Sequence, residues 1–167
     1  MFEKKKTGQV VGSSIGLVKS INWMVKSKVH AVNMSVAGAD NKGVRAAIEK
    51  GKKKGLIFVA AAGNLGKKGN KPAFSAAYKR VFAVTALNEK KLVYSHANQG
   101  KYIDFTAPGV KIWTAVPGGG RFQSGTSMAS PFISVMIAQE RAKSGTKCRR
   151  RAQEAEGSGA RSRQEGQ

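Results

Sequence analysis

The sequence predicts an α/β protein with a partial, doubly wound and mainly parallel sheet. Two apolar segments, 29–36 and 56–62, have the continuous hydrophobicity of strands that are buried on both faces. Between them, the apolar residues of segment 42–54 recur at helical spacing. A strand, a helix and a second strand in this order form a right-handed crossover, which makes the two strands parallel. The chain has 167 residues, 41% of them hydrophobic, which is enough for one domain core.

The helices are predicted from spacing and from capping residues. Residues 1–11 are polar and are expected to be frayed, whereas residues 14–28 combine apolar positions at helical spacing with intervening lysines. The helix over 42–54 begins after Asp40 or Asn41, because either side chain can cap it. Its core-facing positions are Val44, Ala47 and Ile48.

The remaining apolar segments predict short strands and a hairpin. The strands are expected at 81–87, 92–95, 102–106 and 112–116. Glycines 118–120 then form the turn of a hairpin that leads towards residue 127. The loop 63–72 leaves the carboxyl end of the strand over 56–62, and sheets of this kind place their binding sites at that edge.

The stretch 123–131 places a serine between a glycine turn and the apolar run 132–138. The run predicts a buried helix, and Ser127 lies in its first turn, where free N–H groups and the positive end of the helix dipole favour developing negative charge. A serine in this place suits a nucleophile. The alternative, from the residues alone, is a common Ser/Thr cap on a core helix.

Residues 125–131, Gly-Thr-Ser-Met-Ala-Ser-Pro, resemble the nucleophile signature of the subtilisin-like serine proteases. Three further segments resemble motifs of that family in the family's order. Residues 32–35 resemble the strand that lines its substrate cleft, 59–64 the segment with its oxyanion-hole asparagine, and 107–110 a loop before the nucleophile. The resemblance covers roughly residues 12–140 and implies the carboxyl-terminal half of a subtilisin-like catalytic domain.

This resemblance implies a catalytic site. Ser127 would attack the substrate carbonyl, and Asn64 would donate a hydrogen bond to the oxyanion together with the Ser127 backbone N–H. From the residues alone, Asn64 is instead a loop asparagine that tolerates a left-handed turn. The resemblance also implies two walls of a peptide cleft, formed on one side by Ser35, Val36 and Ala37 and on the other by Ala62 and Gly63.

The sequence lacks the strings that the family uses around its catalytic aspartate and histidine, Asp-Thr-Gly or Asp-Ser-Gly and His-Gly-Thr. His30 and His96 lie in other contexts and are expected to be structural or solvated, and Asp40 and Asp104 match the family's aspartate no better. We therefore expect a truncated fragment that is inactive alone, unless another chain supplies the missing amino-terminal half. No acidic cluster has calcium-ligand spacing, so no cofactor is predicted, and calcium enters only through the resemblance.

The formal charge of +21 is the other prominent feature of the sequence. Residues 1–140 hold 22 bases and six acids, and residues 141–167 hold eight bases and three acids with almost no large apolar side chains, which predicts a disordered basic tail. The charge attracts polyanions and leaves open an alternative function, a non-catalytic basic protein on a protease-derived scaffold. No RNA-recognition, zinc-finger or helix-turn-helix signature accompanies it.

Three predictions concern partners and location. The expected partners are a peptide or protein substrate and, non-specifically, polyanions. No apolar run reaches the length of a transmembrane helix. The resemblance implies secretion or a periplasmic location, and the single cysteine, Cys148, excludes a disulfide within the chain.

Overall fold

The structure, a computed structural model, describes residues 2–4, 10–27, 29–66 and 72–161, and side chains from residue 12 to residue 144 within these ranges. In chain order the elements are β1 (Phe2–Lys4), β2 (Val10–Gly12), α1 (Ser14–Lys26), β3 (Ala31–Met34), α2 (Lys42–Lys53), β4 (Ile57–Ala61), β5 (Phe82–Leu87), β6 (Phe105–Pro108), β7 (Ile112–Val116), β8 (Gly119–Gln123) and α3 (Thr126–Arg161). The chain divides into two units, one ending at Ser134 and the other starting at Val135. The strands named here all belong to the first unit.

The first unit is built on a four-stranded sheet in the order β3-β4-β5-β6, and each neighbouring pair is parallel. Val32 pairs with Phe58 across β3 and β4, and Ala60 pairs with Ala83 across β4 and β5. The predicted α/β class with a parallel sheet is therefore confirmed. One consequence matters for function, because parallel strands bring all their carboxyl ends to the same edge of the sheet.

Helices α1 and α2 pack together over one face of this sheet and form the main core. Asn41, one of the two predicted caps, accepts a hydrogen bond from Val44 N at 3.0 Å and starts α2. The predicted core positions of α2 are buried, and Gly51 lies so close to the Phe58 ring that a Cβ there would come within 2.7 Å of it. The largest fully buried apolar side chains of this core are Phe58, Ile21 and Ile48.

Two of the predicted strands are displaced or reduced. The strand expected at 102–106 lies instead at Phe105–Pro108, because residues 101–102 form a turn and Asp104 Oδ2 accepts from Ala83 N at 2.9 Å just before it. The strand expected at 92–95 is reduced to a single bridge between Leu87 and Val93. Both differences come from pairing with distant strands, which the spacing of apolar residues in the sequence does not predict.

Regular elements also occur near the two ends of the chain. Where fraying was expected over residues 1–11, β1 and β2 form an antiparallel pair, and residues 1 and 5–9 of that prediction lie outside the described part. Where a disordered tail was expected over 141–167, α3 continues to Arg161, and the rest of that segment is likewise outside it. A lack of large apolar side chains argues against burial, but the Gln, Glu, Ala, Lys and Arg residues of this segment are good helix formers.

The apolar run 132–138 is helical as predicted but is not uniformly buried. Ile133 is buried, whereas Phe132, Val135 and Met136 are about half exposed. In the first unit, the buried positions of α3 beyond Thr126 are Ala129, Ser130 and Ile133, which share one face of the helix. Helical periodicity therefore decides burial here, and the length of the apolar run does not.

Candidate active site

Ser127 is the second residue of α3, which follows the β7–β8 hairpin after a link of two residues. The short link between the hairpin and the helix is fixed at Ser124, whose Oγ accepts from Lys111 N at 2.9 Å. Ser127 itself is half-buried, and its hydroxyl has no hydrogen-bond partner among the described residues. The side chain thus stands at the amino end of a helix with its oxygen free to react.

Asn64 follows the carboxyl end of β4 and contacts the residue next to Ser127. Its Oδ1 accepts two hydrogen bonds from Thr126, one from the backbone N at 2.9 Å and one from Oγ1 at 3.1 Å. Thr126 is fully buried, and its Oγ1 also accepts from Gly63 N at 3.1 Å. Because both bonds use the amide oxygen, the Nδ2 group of Asn64 keeps its two donors for another acceptor.

The glycine of the serine motif leaves room for this amide. A Cβ on Gly125 would lie 3.1 Å from Asn64 Nδ2, tighter than most side-chain contacts. The sequence places Ser127 and Asn64 at one edge of a parallel sheet, and the structure brings the two residues together there through Thr126.

A second asparagine, Asn98, is buried and holds the loop that carries Asn64. Its Oδ1 accepts from Leu65 N at 2.7 Å, and its backbone N donates to Gly63 O at 2.9 Å. Gly63 has a φ of +99°, and a Cβ there would come within 2.7 Å of Asn98 Nδ2, so only glycine fits. Sequence reasoning missed both Asn98 and Thr126, because the role of each depends on contacts more than thirty residues away along the chain.

The predicted wall at Ala62 and Gly63 supports this loop from inside. Ala62 N donates to Val84 O at 2.9 Å, and Ala62 O accepts from Tyr102 Oη at 2.9 Å. The backbone N and O of Gly63 are bound to Thr126 and Asn98 as described above. Both residues are buried, and the hydrogen bonds described above pair all their backbone N–H and C=O groups within the protein.

The wall at Ser35, Val36 and Ala37 lies at the other side of Ser127 and is open. Ser35 Oγ donates to Ser127 O at 3.3 Å and lies 3.2 Å from Ser130 Oγ, which ties the end of β3 to the start of α3. Among the described residues, no backbone group of Val36 or Ala37 takes part in a hydrogen bond.

A pocket of about 470 Å³ opens beside Val36 and Ala37. Its lining combines apolar side chains such as Leu17 and Phe74 with polar ones such as Ser13, Asp40 and Asn41. Tyr78 closes part of it, with its hydroxyl held between the backbone N and O of Asn41 at 2.9 and 3.1 Å. Burial raises the pKa of the Tyr78 phenol, so this group stays neutral well above neutral pH.

Neither histidine contacts the Ser127 hydroxyl in the part of the chain that is described. His30 lies before the amino end of β3, at the opposite edge of the sheet, and is exposed. His96 Nδ1 lies 3.2 Å from Ser95 Oγ, and its ring packs 5.2 Å from that of Tyr94. Of the two aspartates considered, Asp40 pairs with an arginine and Asp104 with a backbone amide, so neither orients an imidazole.

The described residues contain no group of three or more His, Cys, Asp or Glu side chains able to hold a metal ion. Calcium binding therefore remains a prediction made from resemblance. Within the same residues, no helix combines the length and apolar composition needed to cross a bilayer.

Comparison with known protein families shows to which family the chain belongs. The model of the subtilase family, peptidase S8, matches residues 7–155. The chain belongs to the subtilase family. The resemblance found in the four sequence motifs is thereby confirmed, and so is the fold that it implied.

Individual subtilases match most of this chain. It is 36% identical over 129 residues to the minor extracellular protease Epr of Bacillus subtilis, a match that covers 76% of the chain and 20% of Epr. It is 32% identical over 123 residues to subtilisin E of the same species, covering 71% of the chain and 32% of that protein. A solved psychrophilic protease, S41, superposes with a TM-score of 0.72 at 25% identity, covering 80% of the chain and 51% of its own length. The chain thus spans a third or less of these two curated subtilases.

Proposed function

We propose that this chain carries the nucleophile and the oxyanion-binding side of a subtilisin-like serine endopeptidase. Ser127 Oγ attacks the carbonyl carbon of a peptide bond, and an acyl-enzyme forms as the amine leaves. The carbonyl oxygen becomes an oxyanion that accepts from Asn64 Nδ2 and from the backbone N of Ser127. The observation that carries this proposal is the pair of bonds from Thr126 to Asn64 Oδ1, since they leave the amide donors beside Ser127 unpaired.

The substrate in this proposal is an extended peptide along residues 35–37. The unpaired backbone groups of Val36 and Ala37 suit pairing with a strand-like chain, as in the addition of a strand to a sheet edge. The adjacent pocket of about 470 Å³ is large enough for one apolar side chain of that peptide. A protein or peptide substrate accounts for the open wall better than a small molecule does.

The proton of Ser127 needs an acceptor, and no described imidazole reaches it. We therefore infer that the chain alone is inactive and that a base from another part of a longer protein, or from a second chain, completes the site. Without that base the hydroxyl is a weak nucleophile at neutral pH. The oxyanion donors can act without it, because they are fixed by contacts within this chain.

A small-molecule base allows these donors to be tested in the chain itself. The chain is treated with a fluorophosphonate probe with and without added imidazole, and the labelled serine is found by mass spectrometry. We expect slow labelling at Ser127 that rises with imidazole. Asn64→Ala should lower the imidazole-dependent rate, as in subtilisin, where loss of one oxyanion donor costs about 10²- to 10³-fold.

The protein supplies its own controls. Ser35, Ser130 and Ser134 lie within one hydrogen-bonded group near Ser127 and should stay unlabelled. Asn88→Ala removes another side-chain amide, a half-buried one that accepts from Leu92 N in a distant turn, and should leave the rate unchanged. The proposal would be contradicted if the probe labelled another serine faster than Ser127, or if Asn64→Ala left the imidazole-dependent labelling rate unchanged.

A further inference from the structure

A basic surface lies at the end of α2, at the edge of the sheet opposite to Ser127. Lys54 to Leu56 lead from α2 into the start of β4, and Arg80 precedes β5. Lys52 Nζ joins these two segments, because it pairs with Glu49 at 2.8 Å and also donates to the carbonyl of Lys79. The surface, called the α2-end surface below, consists of Lys50, Lys52, Lys53, Lys54, Lys79 and Arg80.

The positive charges of this surface are largely uncompensated. Glu49 pairs with Lys52, and no salt bridge within the described residues engages the other five cations. The hydrogen bond from Lys52, helped by the charges of Lys52, Arg80 and Lys53, holds the pKa of Glu49 below its usual range. Six cations and one carboxylate leave five positive charges, and Lys52 is the only cation whose side chain is mostly covered.

A structural role explains only part of this charge. Cations near a helix carboxyl end are favourable by about 0.3–1 kcal/mol each, and the effect fades within the last turn. Lys79 and Arg80 lie outside the helix and gain nothing from its dipole. The cations also repel one another, which destabilises the compact state until a counter-charge arrives. A polyanion at this surface would remove that repulsion.

We propose that the α2-end surface binds the phosphate backbone of duplex nucleic acid without sequence preference. A duplex presents one negative charge per about 1.7 Å of axis, and Lys50 to Lys54 span about 6 Å of helix axis. Five of the six cations are lysines, which contact phosphates as point charges and do not need a fixed orientation.

The side chains around the surface argue against single-stranded nucleic acid and against a lipid bilayer. No exposed aromatic ring lies among the six cations to stack on unpaired bases. Phe82, the next exposed ring along the chain, packs against Phe105 with centroids 5.5 Å apart. Leu56 is buried, so the surface offers no apolar anchor to a lipid bilayer.

The position of this surface keeps it separate from Ser127. Strand β4 has five residues and spans about 16 Å between the α2-end surface and the loop that carries Asn64. Binding of a duplex therefore leaves the peptide wall open, and the inference does not rest on the proposed peptidase function. Ser127→Ala should bind a duplex as the unsubstituted chain does.

The test is the salt dependence of duplex binding by the full chain. Fluorescence anisotropy of a labelled duplex of random sequence gives Kd at salt concentrations from about 50 to 200 mM. Lys50→Gln with Lys53→Gln removes two charges from the surface. The control, Lys19→Gln with Lys90→Gln, removes two exposed charges from α1 and from the turn after β5. All four residues are exposed, and circular dichroism checks that both doubles are folded.

We expect the slope of log K against log salt to become less steep by about 1.8 in the first double variant, because each lost phosphate contact removes about 0.9. The control should keep the original slope, and the basic segment after residue 140 contributes equally to all forms. Equal losses in both doubles would overturn the proposal in favour of diffuse attraction. Tighter binding to heparin or to anionic vesicles than to the duplex would overturn it in favour of another polyanion.

Discussion

Replacing Thr126 by valine removes one hydroxyl from the point where the Asn64 loop meets α3. That hydroxyl accepts from Gly63 N and donates to Asn64 Oδ1, both at 3.1 Å. Valine keeps the shape of threonine, so the buried Gly63 N–H is left without an acceptor, at about 1–3 kcal/mol. Asn64 is exposed and keeps its bond from Thr126 N, so that second loss is near the low end of about 0.5–1.5 kcal/mol. The free energy of unfolding should fall by about 1.5–3.5 kcal/mol.

Equilibrium unfolding in urea, followed by circular dichroism, measures this loss. Thr126→Ser is the matched control, because it keeps the hydroxyl and removes one buried methyl group, at about 0.8 kcal/mol. For a chain of this size, each kcal/mol lowers Tm by about 2–4 °C, so the valine variant should melt well below the serine variant. A valine variant as stable as the serine variant would refute the idea that this hydroxyl holds the loop.

Three further predictions use the same unfolding assay. Gly51→Ala should destabilise by about 1–3 kcal/mol, since its Cβ would meet the buried ring of Phe58, and Phe58→Leu in the same chain should relieve the loss. Burial raises the pKa of the Tyr78 phenol in the folded state, so the protonated phenol contributes to stability. This contribution should be complete at pH values below the ordinary tyrosine pKa and should be lost as pH rises through the folded pKa. Tyr78→Phe should abolish this decline. Asn98→Ala should lower the free energy of unfolding by about 1–3 kcal/mol, because it leaves the backbone N–H of Leu65 without an acceptor. It should also slow labelling of Ser127 by the fluorophosphonate probe, and an unchanged labelling rate would limit Asn98 to a structural role.

The parts of the fold that local pattern determines were predictable from the sequence. The crossover from β3 through α2 to β4 follows from two apolar segments and one amphipathic segment, and each lies within two residues of its predicted bounds. The position of Ser127 in the first turn of α3 follows from the glycine before it and the helix formers after it. These features depend on residues that are close together along the chain, so they can be predicted from a single sequence.

The parts that depend on distant contacts were not predictable in the same way. Asn98 belongs to a polar segment without periodicity, yet it is fully buried because it fills the space beside Gly63. Ala62 was predicted to form one wall of a peptide cleft, and the sequence did not show that its N–H and C=O pair with Val84 and Tyr102. Only the three-dimensional arrangement shows which backbone groups are already paired and which remain for a ligand.

The direction of the Asn64 amide follows from the donors that surround it. Thr126 presents a backbone N–H, which can only donate, so the atom of Asn64 that faces it must be the carbonyl oxygen. The Thr126 hydroxyl is already an acceptor for Gly63 N, so its proton is free to point at the same oxygen. Reversing the amide would set its NH₂ group against the Thr126 backbone N–H and lose that bond. The donors of Asn64 are therefore fixed by this chain itself, as its proposed role in binding an oxyanion requires.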